Sequence, residues 1–148
     1  MAGIEVEVFG VEVLHADAGG QTLPLARMRR LCAVAAGAAG VGDGHLAIEF
    51  VDADRIAELN IEHRGKSGPT DVLSFPIDGA DGARQLGDSQ RELGDVVICP
   101  QHTVDVQEAV VHGVLHLVGM DHETDAGEML ALQAEIMRWE AIDPQEDA

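Results

Sequence analysis

Ile4-Glu5-Val6-Glu7-Val8-Phe9 alternates apolar and polar side chains, the period-two pattern of a strand with one buried face. Gly10 interrupts the alternation before Val11-Glu12-Val13 resumes it, so one kinked or bulged strand is expected there. Past a Gly-containing loop over Asp17–Gln21, apolar residues from Leu23 to Ala39 recur at helical spacing until Gly40-Val41-Gly42-Asp43-Gly44 stops them. His45–Phe50 alternates again as a strand. Asp52 supplies an N-cap for a short helix ending near His63, with Gly65 close behind. Val72–Phe75 and Asp95–Cys99 read as strands closed by Pro76 and Pro100, since proline cannot donate to a sheet ladder. Between them Asp78–Glu92 is rich in Gly and Asp and carries two arginines, which predicts a mobile loop, either a surface insertion or a substrate-contacting lid. Thr103–Val118 is apolar nearly all round, as a helix central in a core would be. Asp125 with Glu128 resembles a capping box opening an amphipathic helix through Trp139, and Asp143-Pro144 begins an acidic tail.

The succession strand, helix, strand, helix, strand, strand, helix, helix predicts an α+β fold: a four-stranded mixed sheet packed with helices, the Thr103–Val118 helix central. The length suits one domain over residues 1–148 with a tail from about 141, and no internal repeat divides it.

Within the central helix and just past it, His112, Gly113, His116, Gly119 and His122 follow H-G-x-x-H-x-x-G-x-x-H. This is the zinc framework of metzincin peptidases with the general-base glutamate replaced by glycine. Residues four apart on a helix share a face, so His112 and His116 can address one cation. Gly119 can take a left-handed conformation that ends the helix and brings His122 round as third ligand. Two unpartnered imidazoles on so apolar a helix would cost roughly 1–3 kcal/mol each, which argues for a compensating ligand. Three histidines on Zn²⁺, one ion per chain, leave a position for water or substrate, as in a catalytic site. A glycine in mid-helix costs about 0.5–1 kcal/mol relative to alanine, so Gly113 is expected to let backbone, water or substrate approach the metal. His15, His45, His63 and His102 lack ligand spacing and are read as incidental.

Composition narrows the picture. No run approaches the apolar length of a membrane span, and the start Met1-Ala2-Gly3-Ile4-Glu5 lacks a secretory pattern, so a cytoplasmic chain is expected. Cys32 and Cys99 sit in apolar segments, as reduced buried thiols would. The 27 acidic against 9 basic residues, net −18, have the wrong sign for a general nucleic-acid binder. The cations are uneven, however: Arg27, Arg29 and Arg30 open one helix, and Arg64, Lys66, Arg84 and Arg91 flank the Val72–Phe75 strand as a local basic mouth. Aromatics are only Phe9, Phe50, Phe75 and Trp139, which argues against a stacking platform for single-stranded RNA.

Read with Thr70-Asp71-Val72-Leu73-Ser74-Phe75-Pro76 and Leu93-Gly94-Asp95-Val96-Val97-Ile98-Cys99, the histidine motif resembles the YbeY family of bacterial endoribonucleases. The likeness runs from about Val51 to Trp139, with the first 50 residues agreeing in pattern only. Met120 replaces a usual tyrosine, His63 replaces a usual aromatic, and Pro100–Val111 is shorter than the family's segment. The resemblance implies a zinc-dependent, single-strand-specific endoribonuclease of rRNA maturation and ribosome assembly or quality control. The implied partners are single-stranded rRNA and ribosome or small-subunit assembly components, with neither membrane nor DNA. It further implies that Arg64, a few residues before the Thr70–Pro76 motif, is functionally important.

The chemistry agrees with a phosphodiester substrate. Peptide hydrolysis needs a protonated leaving amine, which the missing glutamate would supply, so Gly113 argues against a metzincin-like peptidase, and Met129 lies in a predicted helix instead of a Met-turn. A phosphodiester instead needs cationic clamps on its non-bridging oxygens, and an arginine fork such as Arg64 grips two at once; its plainer alternative is a surface salt bridge. Asp121, beside His122, either accepts a ligand's second N–H or caps the chain turn, and Asp95 is a further candidate support. Thr70 and Asp71 are expected to fix the loop entering their strand. A non-catalytic ribosome-assembly factor with structural zinc is the other reading, favoured by the acidic surface.

Overall fold

The alternating segments become strands. The computed structural model describes residues 3–17, 23–77 and 91–141. Strand β1 (Ile4–Phe9) lies parallel to β2 (Gly44–Phe50), β2 parallel to β4 (Glu92–Ile98), and β3 (Val72–Pro76) antiparallel to β4. The order β1-β2-β4-β3 makes the four-stranded mixed sheet that the pattern predicts. The helices are α1 (Val11–Asp17), α2 (Leu25–Ala38), α3 (Ala53–Arg64), α4 (Val106–Leu117) and α5 (Glu128–Ala141).

One element differs in kind from expectation. Val11-Glu12-Val13 does not continue β1 but opens α1. Gly10 turns the chain at φ +77°, and its carbonyl accepts from the backbone N–H groups of Val13 and Leu14. A Cβ at Gly10 would lie 2.2 Å from the Phe50 carbonyl oxygen, so only glycine fits this turn. Three alternating residues satisfy a strand and a helical turn equally, and the burial of Leu14 decides for the helix.

Boundaries shift elsewhere. Strand β4 starts at Glu92, three residues before the expected Asp95, and Cys99 lies beyond its end. Helix α4 starts at Val106 and not Thr103, because Asp105 caps it by accepting from the Glu108 N–H after a single 3-10 turn over Pro100–His102. Asp52 caps α3 as expected, accepting from the Arg55 N–H. The expected loop over Asp17–Gln21, the expected mobile loop over Asp78–Glu92 and the acidic tail fall largely on residues 18–22, 78–90 and 142–148, outside the described residues.

Helix α4 packs on β3 and β4, α2 on β1 and α4, and α5 on α4 and α2. Leu46, Ile48, Val96 and Ile98 from the sheet meet Met28, Leu31, Val110, Val114 and Leu117 from the helices in the main core. A smaller cluster of Val51, Ile56, Leu59, Leu73 and Val97 seats α3 on the sheet's other side. That side otherwise exposes Glu5, Glu7, Glu49 and Asp95. Arg27 and Arg30 do not face a substrate: both grip the buried Glu140 carboxylate, at 2.9 and 2.8 Å, tying α2 to α5. Among the described residues no helix is long and apolar enough to cross a membrane.

Candidate metal centre

Three local structures bring the histidines together. His112 and His116 lie one turn apart on α4. The helix then ends in a Schellman motif: the Met120 N–H donates to the Leu115 carbonyl at 3.0 Å and the Gly119 N–H to the His116 carbonyl at 3.0 Å. Gly119 has φ +102°, the glycine-favouring conformation expected from the motif. Asp121 builds the next turn. Its Oδ1 accepts from the Glu123 N–H at 2.9 Å and its carbonyl from the N–H groups of Thr124 and Asp125, which carries His122 back toward α4.

The result is a three-imidazole cluster. One ligand atom from each of His112, His116 and His122 lies within 4.8 Å of the other two, and the ring centroids are 4.8 to 5.2 Å apart. Gln133 on α5 accepts from His112 Nδ1 at 2.7 Å, so His112 Nε2 keeps its lone pair for a cation. Burial pushes the His116 pKa down, and the neighbouring His112 and His122 add to this against the opposing pull of Asp121. A lowered pKa keeps the imidazole neutral, the form that ligates. An all-nitrogen set of this kind suits Zn²⁺ and other borderline divalent ions.

The cluster lines a cleft of about 570 Å³. Its walls are the end of α3 (His63, Arg64), the segment Thr70–Pro76 that includes β3, and the turn bearing His122 and Glu123. The end of α3 thus forms one wall of the cleft, and α5 contributes the Gln133 contact to His112. Arg64 lines this cleft, and among the described residues it forms no ion pair. Asp71 lines it too, its Oδ1 accepting from the Val72 N–H at 2.8 Å and its carbonyl from the Cys99 N–H, which fixes the entry to β3.

Other expected residues lie elsewhere. Gly113 does not open toward the histidines. Its missing side chain faces the sheet, where a Cβ would sit 2.4 Å from Val96 Cγ1, and its carbonyl accepts from Ser74 Oγ at 2.9 Å. Asp95 points to the other side of the sheet from Val96, with Glu92 and His45 as electrostatic neighbours; burial chiefly raises its pKa. Arg91 pairs with Asp43 at 3.4 Å and is largely buried, so it is not part of a basic mouth, and Arg84 lies outside the described residues. Cys32 and Cys99 are buried and form no disulfide, and burial pushes the Cys32 thiol up to about 12, which makes it inert. Sequence reasoning missed Gln133, Ser74 and His63 at the site. No spacing links Gln133 to the histidine motif, Ser74 stood in the Thr70–Pro76 motif with no role assigned, and His63 was marked only by its adjacency to Arg64 and its place at a usual aromatic position.

Comparison with known proteins shows the family. The family model for endoribonuclease YbeY matches residues 26–139. A protein named endoribonuclease YbeY from Rubrobacter xylanophilus is 40% identical over 135 residues, covering 87% of this chain and 94% of its own. One of the same name from Bacillus cytotoxicus is 39% identical over 128 residues, covering 74% and 82%. A Thermotoga maritima protein solved in solution superimposes with a TM-score of 0.50 over 95% of each chain at 23% identity, a likeness of fold alone. Matched by the family model over residues 26–139, and by a relative 40% identical across 94% of its own length, this chain belongs to the endoribonuclease YbeY family.

Proposed function

We propose that this chain is a zinc-dependent endoribonuclease that cuts single-stranded rRNA in the cytoplasm during ribosome maturation, with ribosome-assembly components as its partners. The observation that carries the reading is the joint occurrence, in one cleft, of three clustered histidines and an arginine that forms no ion pair among the described residues. His112, His116 and His122 would hold one zinc per chain, with Gln133 orienting His112. Bound there, zinc supplies Lewis acidity, lowering the pKa of a water and offsetting charge on a phosphate oxygen.

The chain's own groups do the rest. Arg64 presents a planar fork of donors that matches two non-bridging phosphate oxygens, and its grip strengthens as negative charge grows on them. Asp71 and Asp121 hold the loops that carry the cleft wall and His122. With the sheet packed against Gly113, no side chain at that position reaches the cleft to act as a peptidase base.

The test is cleavage of single-stranded rRNA fragments by zinc-loaded wild type, Arg64→Ala and Arg64→Lys at one salt concentration. Arg64→Ala should keep its zinc and melt within about 0.5 kcal/mol of wild type, as for a surface cation. Its cleavage rate should fall about a hundredfold or more, the equivalent of roughly 2.7–4 kcal/mol for one charged donor. Arg64→Lys should recover part of the loss, since a point charge cannot reproduce the fork. Equal rates in all three proteins would remove Arg64 from the reaction.

A further inference from the structure

Beside Arg64 the cleft carries a small aromatic wall. His63, on the last turn of α3, packs its ring on Phe75 of β3 with centroids 4.9 Å apart and planes at 68°. Both rings line the cleft that contains the three clustered histidines. His63 keeps half of its side-chain surface exposed, and its polar neighbour is Glu62, at 3.8 Å, an exposed contact. An edge-to-face pair leaves ring surface uncovered, and here that surface borders the place where Arg64 would hold a phosphate.

We propose that His63 and Phe75 together seat one unstacked nucleobase of the RNA strand held by Arg64. This rests on the endoribonuclease reading and adds a source for its strand preference. A base within a duplex has both faces covered by its neighbours, whereas a single strand can turn a base out onto a ring. Consecutive residues on one helical turn then divide the nucleotide between them: Arg64 takes the phosphate and His63, backed by Phe75, takes the base. Stacking of this kind tolerates any base, because every base offers a π face. His63 is thus a specificity residue for strandedness and not for sequence.

Replacing one nucleotide at a time by an abasic unit in a short single-stranded RNA, and measuring kcat/KM with zinc-loaded protein, separates this role from a merely structural one. Wild type should lose about tenfold or more when one particular nucleotide is abasic, and little when others are. His63→Ala should cleave the intact RNA about tenfold more slowly and be indifferent to that abasic unit, with unchanged zinc content and melting temperature. His63→Trp should restore both rate and sensitivity. Wild-type cleavage of intact RNA by His63→Ala overturns the inference and leaves the endoribonuclease reading standing. So does a lowered melting temperature with abasic sensitivity retained, which makes the ring pair a clasp between α3 and β3. Failure of wild type to cleave any single-stranded RNA overturns the reading beneath it.

Discussion

Gly113 stands one residue after the first clustered histidine, yet its position is dictated by the sheet. The nearest atom to its would-be Cβ is a methyl of Val96, a β-branched side chain with no freedom to swing aside, and Val72 Cγ2 is next to it at 3.3 Å. Glycine therefore lets α4 lie close enough for Ser74 to donate to the Gly113 carbonyl. Gly113→Glu should not create peptidase activity. It should force a carboxylate into a packed layer and lower stability on the order of 3 kcal/mol, a drop in melting temperature of roughly 10 °C by thermal denaturation. A variant melting like wild type would contradict the packing. The histidine cluster was legible in the sequence because helical periodicity alone puts His112 and His116 on one face and Gly119 announces the turn to His122. The role of Gly113 was not, because it depends on a strand some twenty residues upstream. His63 looked incidental for a related reason: its partner Phe75 reaches it only once β3 is in place.

At the scale of elements, the centre depends on how α5 docks on α4. Gln133 is the one polar side chain of α5 hydrogen-bonded to a ring of the cluster among the described residues, and it leaves His112 Nε2 as the nitrogen that a cation would meet. Gln133→Leu should weaken zinc binding about 10- to 100-fold, read by competition with a chelator, while the helical content stays the same. Undiminished affinity would show that α5 contributes packing only. The helix itself was foreseen, and its start is built from the residues that suggested it: Asp125 accepts from the Gly127 and Met129 N–H groups, and Glu128 accepts from that of Ala126. Strand pairing was legible in kind, since each strand carries alternation or a closing proline. The misread element, α1, is one whose apolar pattern is too short to have a period. The reach of β4 was also hidden, because Glu92 joins the sheet through pairing with His45, across a register shift that no local pattern reveals.

Over the whole molecule the acidic excess and an anionic substrate are reconciled by position. Glu5, Glu7, Glu49 and Asp95 stand on the side of the sheet that α3 covers only in part, whereas α4 and its histidines lie on the other side. The cleft carries the carboxylates of Asp71 and Glu123 beside Arg64, but Arg64 forms no ion pair with either or with any other of the described residues, so its guanidinium stays available within a chain of net charge −18. The shortened Pro100–Val111 segment leaves the cluster intact, since a single 3-10 turn and the Asp105 cap suffice to start α4. An ion held by the three histidines would serve both fold and chemistry, and zinc at a hundred times its dissociation constant should stabilise the chain by about 2.7 kcal/mol. The most direct test strips the metal from wild type and from His116→Ala, adds zinc back, and measures bound metal and cleavage of single-stranded RNA side by side. Metal-free wild type should be inert, one equivalent of zinc should restore cleavage, and His116→Ala should take up little zinc and stay inactive. Full cleavage by the metal-free protein, or full zinc occupancy in His116→Ala, would contradict the account.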